Sequence, residues 1–558
     1  MLNGLDDIDW RSLEHNYGSA ENIPGLLRTA ARDEVAFDSN DGLYNQLHHQ
    51  GGWVCSAATA ALPFLLDLIE SPIAADRTEH VELIARLACT AAEATPEWVD
   101  AGWPEAWATV FPRVRRLIDD PDENVRREVT SALGASRHQP AEAVAALRTR
   151  FGREPVAIVR ADILKALEDL GDRDGIRVLG DHADPSVAID AMLRAHALDG
   201  TTVDAAELGA VLTALRETTD WDVFRPVHGG DSKALTSTDY VAVVTMLAGH
   251  AEAERRLAAV RLATRVLAEG RDCEERLVPP IAALLDDPET RFHALQLLAA
   301  LAAPYPDRFA AMLDDDTLHG RYVVATVGDA ALWALVRTGD ARCVPVLREL
   351  VADGDRHSRS YSPATHISWL PSIGEMLEQV GAEHVPTLLP AVRARLADGG
   401  RDARFDYLAT LKSWGVLAAE AGPEVKALLE TETGTVARQA LDAIAPSEVS
   451  APETADLTDE DPWTRTRAAV RLWRSTGESA EATRVLRGVV AEVLDDGRYG
   501  LTVGREALSR LAEMGAGEAA PEARRVLGEE RRLSDGGGWR RFVDDDAWRR
   551  AAVRILEA

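Results

Sequence analysis

The chain has 558 residues, 46 % hydrophobic but only 5 % aromatic, enough for several ordinary domains or for one repeat array with a core of Ala, Leu and Val. Asp and Glu number 92 against 61 Lys and Arg, and the resulting formal charge of −31 repels phosphate backbones and argues against nucleic acid as a partner. The scattered Cys55, Cys89, Cys273 and Cys343 exclude a disulfide scaffold or a zinc knuckle, and no apolar run approaches the ~18 residues that a membrane span needs.

Lysine occurs only at Lys165, Lys233, Lys412 and Lys426. That skew toward arginine, with the richness in Ala, reads as the codon bias of a GC-rich bacterial genome rather than as nucleic-acid binding. The first ten residues are acidic and carry no basic-then-apolar leader pattern, so a cytoplasmic, reduced protein is expected. Ala and Leu are strong helix formers, and small core side chains let helices approach closely, so the composition favours an all-α fold.

In chain order, the first elements are irregular. Trp10, Leu13, His15 and Tyr17-Gly18 precede a helix start at Ile23-Pro24, and Leu43–Gly51 leads into an apolar segment, Ala57–Ile69. Between them, His48-His49-Gln50-Gly51-Gly52-Trp53 overlaps the end of the first stretch and is the most unusual local sequence. Adjacent histidines point in different directions on a helix, and no acidic or Cys partner stands at metal-ligand spacing. A loop with one His packed is the plain reading, and a recognition surface with Trp53 as anchor is the functional one. Trp98, Trp103 and Trp107 follow among Pro96, Pro104 and Pro112. Trp103 and Trp107 share a helix face at i, i+4, suited to packing against the next repeat or to an interface anchor.

Asp-Pro then recurs before Ala-rich segments, at Asp120-Pro121, Asp184-Pro185, Asp287-Pro288 and Asp461-Pro462. Asp accepts hydrogen bonds from free N–H groups at a helix start, and Pro tolerates the first helical position. The clearest unit spans Thr326 to Val351: Val327, Ala330, Ala331, Ala334 and Leu335 share one face, Thr338-Gly339-Asp340 breaks the helix, and Val344, Leu347, Leu350 and Val351 line a second. It is echoed near Thr464–Val490, and helical pairs are also read at Val125–Arg150, Val159–Leu179, Tyr407–Leu429 and Ala507–Leu527. Trp221–Thr238, Asp353–Pro363 and Ser447–Asp461 lack periodicity and read as loops or linkers.

These hairpins resemble HEAT repeats, including the bacterial phycobilin-lyase-like subclass. Leu284-Leu285-Asp286-Asp287-Pro288 and Gly339-Asp340 through Val344-Pro345-Val346-Leu347 carry the resemblance, and the opening is similar to that of a group of actinobacterial HEAT-repeat proteins of uncertain role. The resemblance implies an α-solenoid of stacked helical hairpins. Its expected layout is a capping repeat over 1–70, repeats over 71–220, an irregular loop over 221–238, repeats over 239–446, an acidic spacer over 447–461, and C-terminal repeats with a cap over 462–558.

No sequence feature amounts to a catalytic, cofactor or metal site. His228-Gly229-Gly230-Asp231 reads as a turn, Asp314–Asp316 and Asp544–Asp546 as solvated helix-start turns, and Gly536–Phe542 with Trp548–Arg550 as a capping helix rather than a base-stacking surface. A repeat architecture and negative charge together point to a non-catalytic scaffold or adaptor that offers an acidic curved surface to a basic protein partner. His48, His49, Gln50, Trp53, Trp103 and Trp107 are the candidate contacts. An immunity- or antitoxin-type protein that masks a basic toxin is the sharper version. A HEAT-like DNA glycosylase is the enzymatic alternative, disfavoured because Arg126-Arg127 and Arg255-Arg256 are isolated positive pairs rather than a basic stripe.

Overall fold

The structure, a computed structural model, describes residues 2–31, 42–49, 52–71, 77–218, 227, 232–319, 325–353, 370–445, 454–477, 479–496 and 500–558. The predicted segment 221–238 therefore lies largely outside the described residues, as do Gln50, nearly all of 353–363 and the first half of 447–461. The fold is an α-solenoid of stacked helical hairpins. Among the described residues, extended structure is limited to two two-residue antiparallel ladders, Glu14–His15 with Gly18–Ser19 and Leu318–His319 with Ala325–Thr326, and to the isolated bridges Val54–Val99 and Gly270–Arg531. The chain forms two compact units, Met1–Thr236 and Ser237–Ala558.

In the first unit, helices Arg77–Glu93, Glu123–Gly134, Ala157–Asp169 and Pro185–Asp199 stack as one row. Ser56–Glu70, Trp103–Arg116, Pro140–Phe151 and Arg173–Leu179 alternate with them along the chain. One continuous apolar core runs from Leu5 to Ala191, built mainly of Leu, Ala, Val and Ile. The row packs closely because a small residue faces a small residue: a Cβ on Gly134 would stand 3.0 Å from Cβ of Ala166. Between repeats, Arg126 grips Glu154 through two hydrogen bonds of 2.9 and 3.0 Å and also donates to the carbonyls of Asp120 and Pro121. This buried pair ties one inter-helix turn to the next.

The Asp-Pro signals divide into two kinds. Asp184 and Asp461 are true N-caps: Asp184 accepts from Ser186 N at 3.0 Å, and Asp461 from Trp463 N at 3.1 Å and Thr464 N at 3.0 Å. At the other two sites the helix starts later. Asp122 caps Glu123–Gly134 and Thr290 precedes Arg291–Ala300, while Asp120 and Asp287 close the turn before them. Both of these aspartates end a 3-10 turn, Leu117–Asp119 or Leu284–Asp286, which displaces the helix start.

In the second unit, the predicted hairpin is present as Val327–Thr338 and Cys343–Asp353, with a Thr326–Asp329 capping box and Gly339 at φ +69°. Its echo is present as Pro462–Thr476 and Ser479–Asp496. The unit closes on itself. The last helix, Trp539–Glu557, packs on Leu501–Glu513 and Ala520–Gly528, and also on Arg291–Ala300 near the beginning of the unit. Arg271 N donates to Glu530 O at 3.1 Å, Trp539 meets Trp333 edge to face at 5.8 Å, and Arg540 pairs with Glu375.

Candidate partner-binding surface

The six residues expected to meet a partner are not brought to one surface. Trp103 and Trp107 stack at 5.5 Å with an interplanar angle of 16°, but their exposures are 4 % and 2 %. Both rings lie in the core of the first unit, which removes them from the contact set: the shared helix face is the inward one. His48 is also buried, its Nε2 3.0 Å from Thr90 Oγ1 and its ring against Tyr44. Burial, and then the charge of Arg86, lowers its pKa and keeps it neutral. Gln50 lies outside the described residues.

His49 and Trp53 remain partly exposed. His49 Nδ1 lies 2.8 Å from Tyr17 Oη, with ring centroids 5.1 Å apart. Tyr17 itself is 58 % exposed at the tip of the Glu14–Ser19 hairpin, which is pinned where Glu14 N donates to Ser56 Oγ at 3.0 Å. Two residues before Ser56, Val54 N donates to Trp98 O at 2.8 Å and Asp100 N to Val54 O at 2.9 Å. The 96–100 segment is thus drawn alongside Trp53-Val54, and it presents Trp98 at 56 % exposure. Tyr17 and Trp98 are exposed aromatics that the sequence pattern did not single out. The available signal was local: Trp98 follows Pro96 in a 3-10 turn and Tyr17 precedes Gly18 in a tight turn, so neither can join a helix face.

The remaining sequence candidates resolve as structural. Arg126, Arg127, Arg255 and Arg256 are held by Glu154, Asp162, Glu252 and Asp287 at 2.8–2.9 Å. Asp315 pairs with Arg291 at 3.1 Å within an exposed turn. The expectation for Asp544–Asp546 is corrected, because these residues stand inside the Trp539–Glu557 helix and each is bound to arginine. Asp544 pairs with Arg505, Asp545 with Arg271, Arg532 and Arg549, and Asp546 with Arg337 and Arg550. Asp545 is 0 % exposed, a burial that a carboxylate sustains only with several donors. Trp548 and Phe542 are likewise core residues, so the basic-aromatic cluster of the C-terminus is spent on packing. His228–Asp231 lies outside the described residues. Among the described residues, no three His, Cys, Asp or Glu side chains are placed to hold a metal ion, and no helix is long and apolar enough to cross a membrane.

Residues 62–168 match the family of HEAT repeats. No curated protein matches the chain. Among solved structures, a chain from the structure of Kap95p bound to RanGDP is 11 % identical, with 95 % of this chain and 72 % of that one covered and a TM-score of 0.38. Importin beta is 12 % identical over 96 % of this chain and 65 % of its own, at a TM-score of 0.30. The UNC-45 chaperone is 14 % identical over 96 % and 68 %, at 0.34. Scores this low transfer neither a curvature nor a function.

Proposed function

We propose that the protein is a non-catalytic scaffold or adaptor of the bacterial cytoplasm that offers an acidic surface to a basic protein partner. Stacked hairpins expose long helical faces, an architecture suited to holding another macromolecule along its length. The observation that carries the reading is how charge is used. Acidic residues exceed basic ones by 31, and the paired arginines Arg126-Arg127 and Arg255-Arg256 are each neutralised by a carboxylate. Such a surface attracts basic proteins, with an association rate that falls as salt screens the field.

The test is affinity capture on the immobilised chain at low salt, elution with salt, and reconstitution of each captured protein as a purified complex. A basic protein that forms a stoichiometric complex weakened by salt supports the reading, and a toxic nuclease in that role would make this an immunity-type protein. Capture of nucleic acid in preference to protein would overturn it.

A further inference from the structure

We infer that the end of the first unit formed by the Glu14–Ser19 hairpin, Trp53 and the 96–100 segment is a docking surface for an arginine- or lysine-bearing protein segment. The inference deepens the proposed function and rests on it. Among the described residues, the two most exposed aromatic side chains are Tyr17 and Trp98, and both belong to this end. The segment of each is tied to the same short stretch, Val54–Ser56: the Trp98 segment by backbone pairing to Val54, and the Tyr17 hairpin by Glu14 N donating to the Ser56 hydroxyl, so both rings are presented from an anchored base. Exposed aromatics held in this way are the side chains that anchor protein interfaces.

The occupant follows from charge. Residues 1–100 contain seventeen Asp and Glu against five Arg and no Lys. Glu14 and Glu97 are exposed, and neither forms an ion pair with a described residue. Hydrogen bonds from its own backbone N–H and from Thr95 hold the Glu97 carboxyl below the usual range, so it is charged at neutral pH. No described arginine lies over Tyr17 or Trp98. Electron-rich faces on segments that also carry the exposed carboxylates of Glu14 and Glu97 suit a guanidinium or ammonium group, which is attracted to both. A second copy of the chain would bring the same negative charge against itself, and a phosphate backbone would be repelled.

The experiment uses the full chain and a fluorescently labelled peptide, acetyl-(Arg-Gly-Ser)4-amide, followed by anisotropy at low ionic strength. Its citrulline analogue and a labelled DNA duplex are run in parallel. Trp98→Ala and Tyr17→Ala are each expected to weaken peptide binding by about fivefold or more, with Trp98→Phe restoring most of it. Trp463→Ala, an exposed aromatic in the second unit, should leave binding unchanged. Because Trp98 and Tyr17 are exposed, thermal unfolding of the variants should match the parent. Binding of the arginine peptide that is indifferent to Trp98 and Tyr17 would overturn this site while leaving the acidic-scaffold reading standing. Failure of the parent to bind the arginine peptide in preference to citrulline, or tighter binding of DNA, would overturn both.

Discussion

Arg337 and Asp546 are 209 positions apart in sequence, yet Arg337 Nη2 meets Asp546 Oδ2 at 2.9 Å inside the second unit. Arg337 also donates to the carbonyls of Ala299 and Ala300 at 3.3 and 3.2 Å, and its side chain is all but closed off from solvent. Burial lowers its pKa, and the Asp546 charge opposes that pull. The pair clamps the last helix to the early repeats. Removing one partner by Asp546→Ala strands a buried guanidinium, with an expected loss of about 3–5 kcal/mol. The double substitution Arg337→Met with Asp546→Leu should recover much of this. Urea unfolding of the second unit measures both, and a loss below ~1 kcal/mol for the single variant would show that the clamp is not structural.

The Arg126–Glu154 pair in the first unit carries a pH signature. Burial would raise the Glu154 carboxyl, but hydrogen bonds from Arg126, Val156 N and Arg150 outweigh it and hold the group below its usual range. A depressed carboxylate contributes stability that is present above the unfolded value of about 4.3 and is lost as pH falls through the lower folded value. The parent should therefore lose stability below pH ~4, while Glu154→Gln should start less stable and decline less steeply. Parallel slopes for parent and variant would show that Glu154 is not the responsible group.

His293 gives the opposite kind of group in the second unit. Burial, then the neighbouring His319 and Arg261, lower its pKa to about 4, so it is neutral in the folded chain. His319 stacks on Phe292 at 4.6 Å and lies 6.2 Å from His293. The unfolded chain takes up a proton below about pH 6.5 and the folded one does not until about 4. Stability is lost across that window as pH falls, by about 3 kcal/mol. His293→Gln should flatten the stability profile between pH 6.5 and 4, and an unchanged profile would place the pH dependence elsewhere.

Trp103 and Trp98 are five residues apart and should behave as opposites. Trp103→Ala empties a packed core position and should cost about 3–5 kcal/mol, whereas Trp98→Ala should change stability by less than ~0.5 kcal/mol. Guanidinium unfolding of the two variants compares them directly. Equal losses would mean that the ring of Trp98 is also structural.

Gly504 is required by the ring beside it. A Cβ there would stand 2.7 Å from Trp548 Cη2 and 2.9 Å from Val493 Cγ1. Gly504→Ala should destabilise the second unit by about 1–3 kcal/mol through overpacking, despite the better helix propensity of Ala. The pair Gly504→Ala with Trp548→Phe should be milder than the single substitution, and a stabilising single substitution would show that Trp548 moves without cost.

The local pattern determined the helices, because each depends on contacts three and four residues apart. Val327, Ala330, Ala331, Ala334 and Leu335 are all buried on the face that their spacing assigns, and Gly339 adopts the left-handed conformation that its turn position implies. The Asp-Pro marks located turns, but the cap was Asp122 rather than Asp120 because a 3-10 turn displaced the helix start. Which side of a helix faces the core was legible where apolar residues lined it. Which of two aromatics faces a neighbour and which faces water was not: the spacing left Trp103 open between packing and an interface and assigned Trp98 no role, and the structure buries the first and exposes the second. The burial of Asp545 was also beyond local reading. A run of three aspartates reads as a solvated turn until Arg271, Arg532 and Arg549 arrive from distant segments to bind it. Only tertiary packing decides the partner of a charged side chain, because that partner is a matter of distance in space and carries no period along the chain.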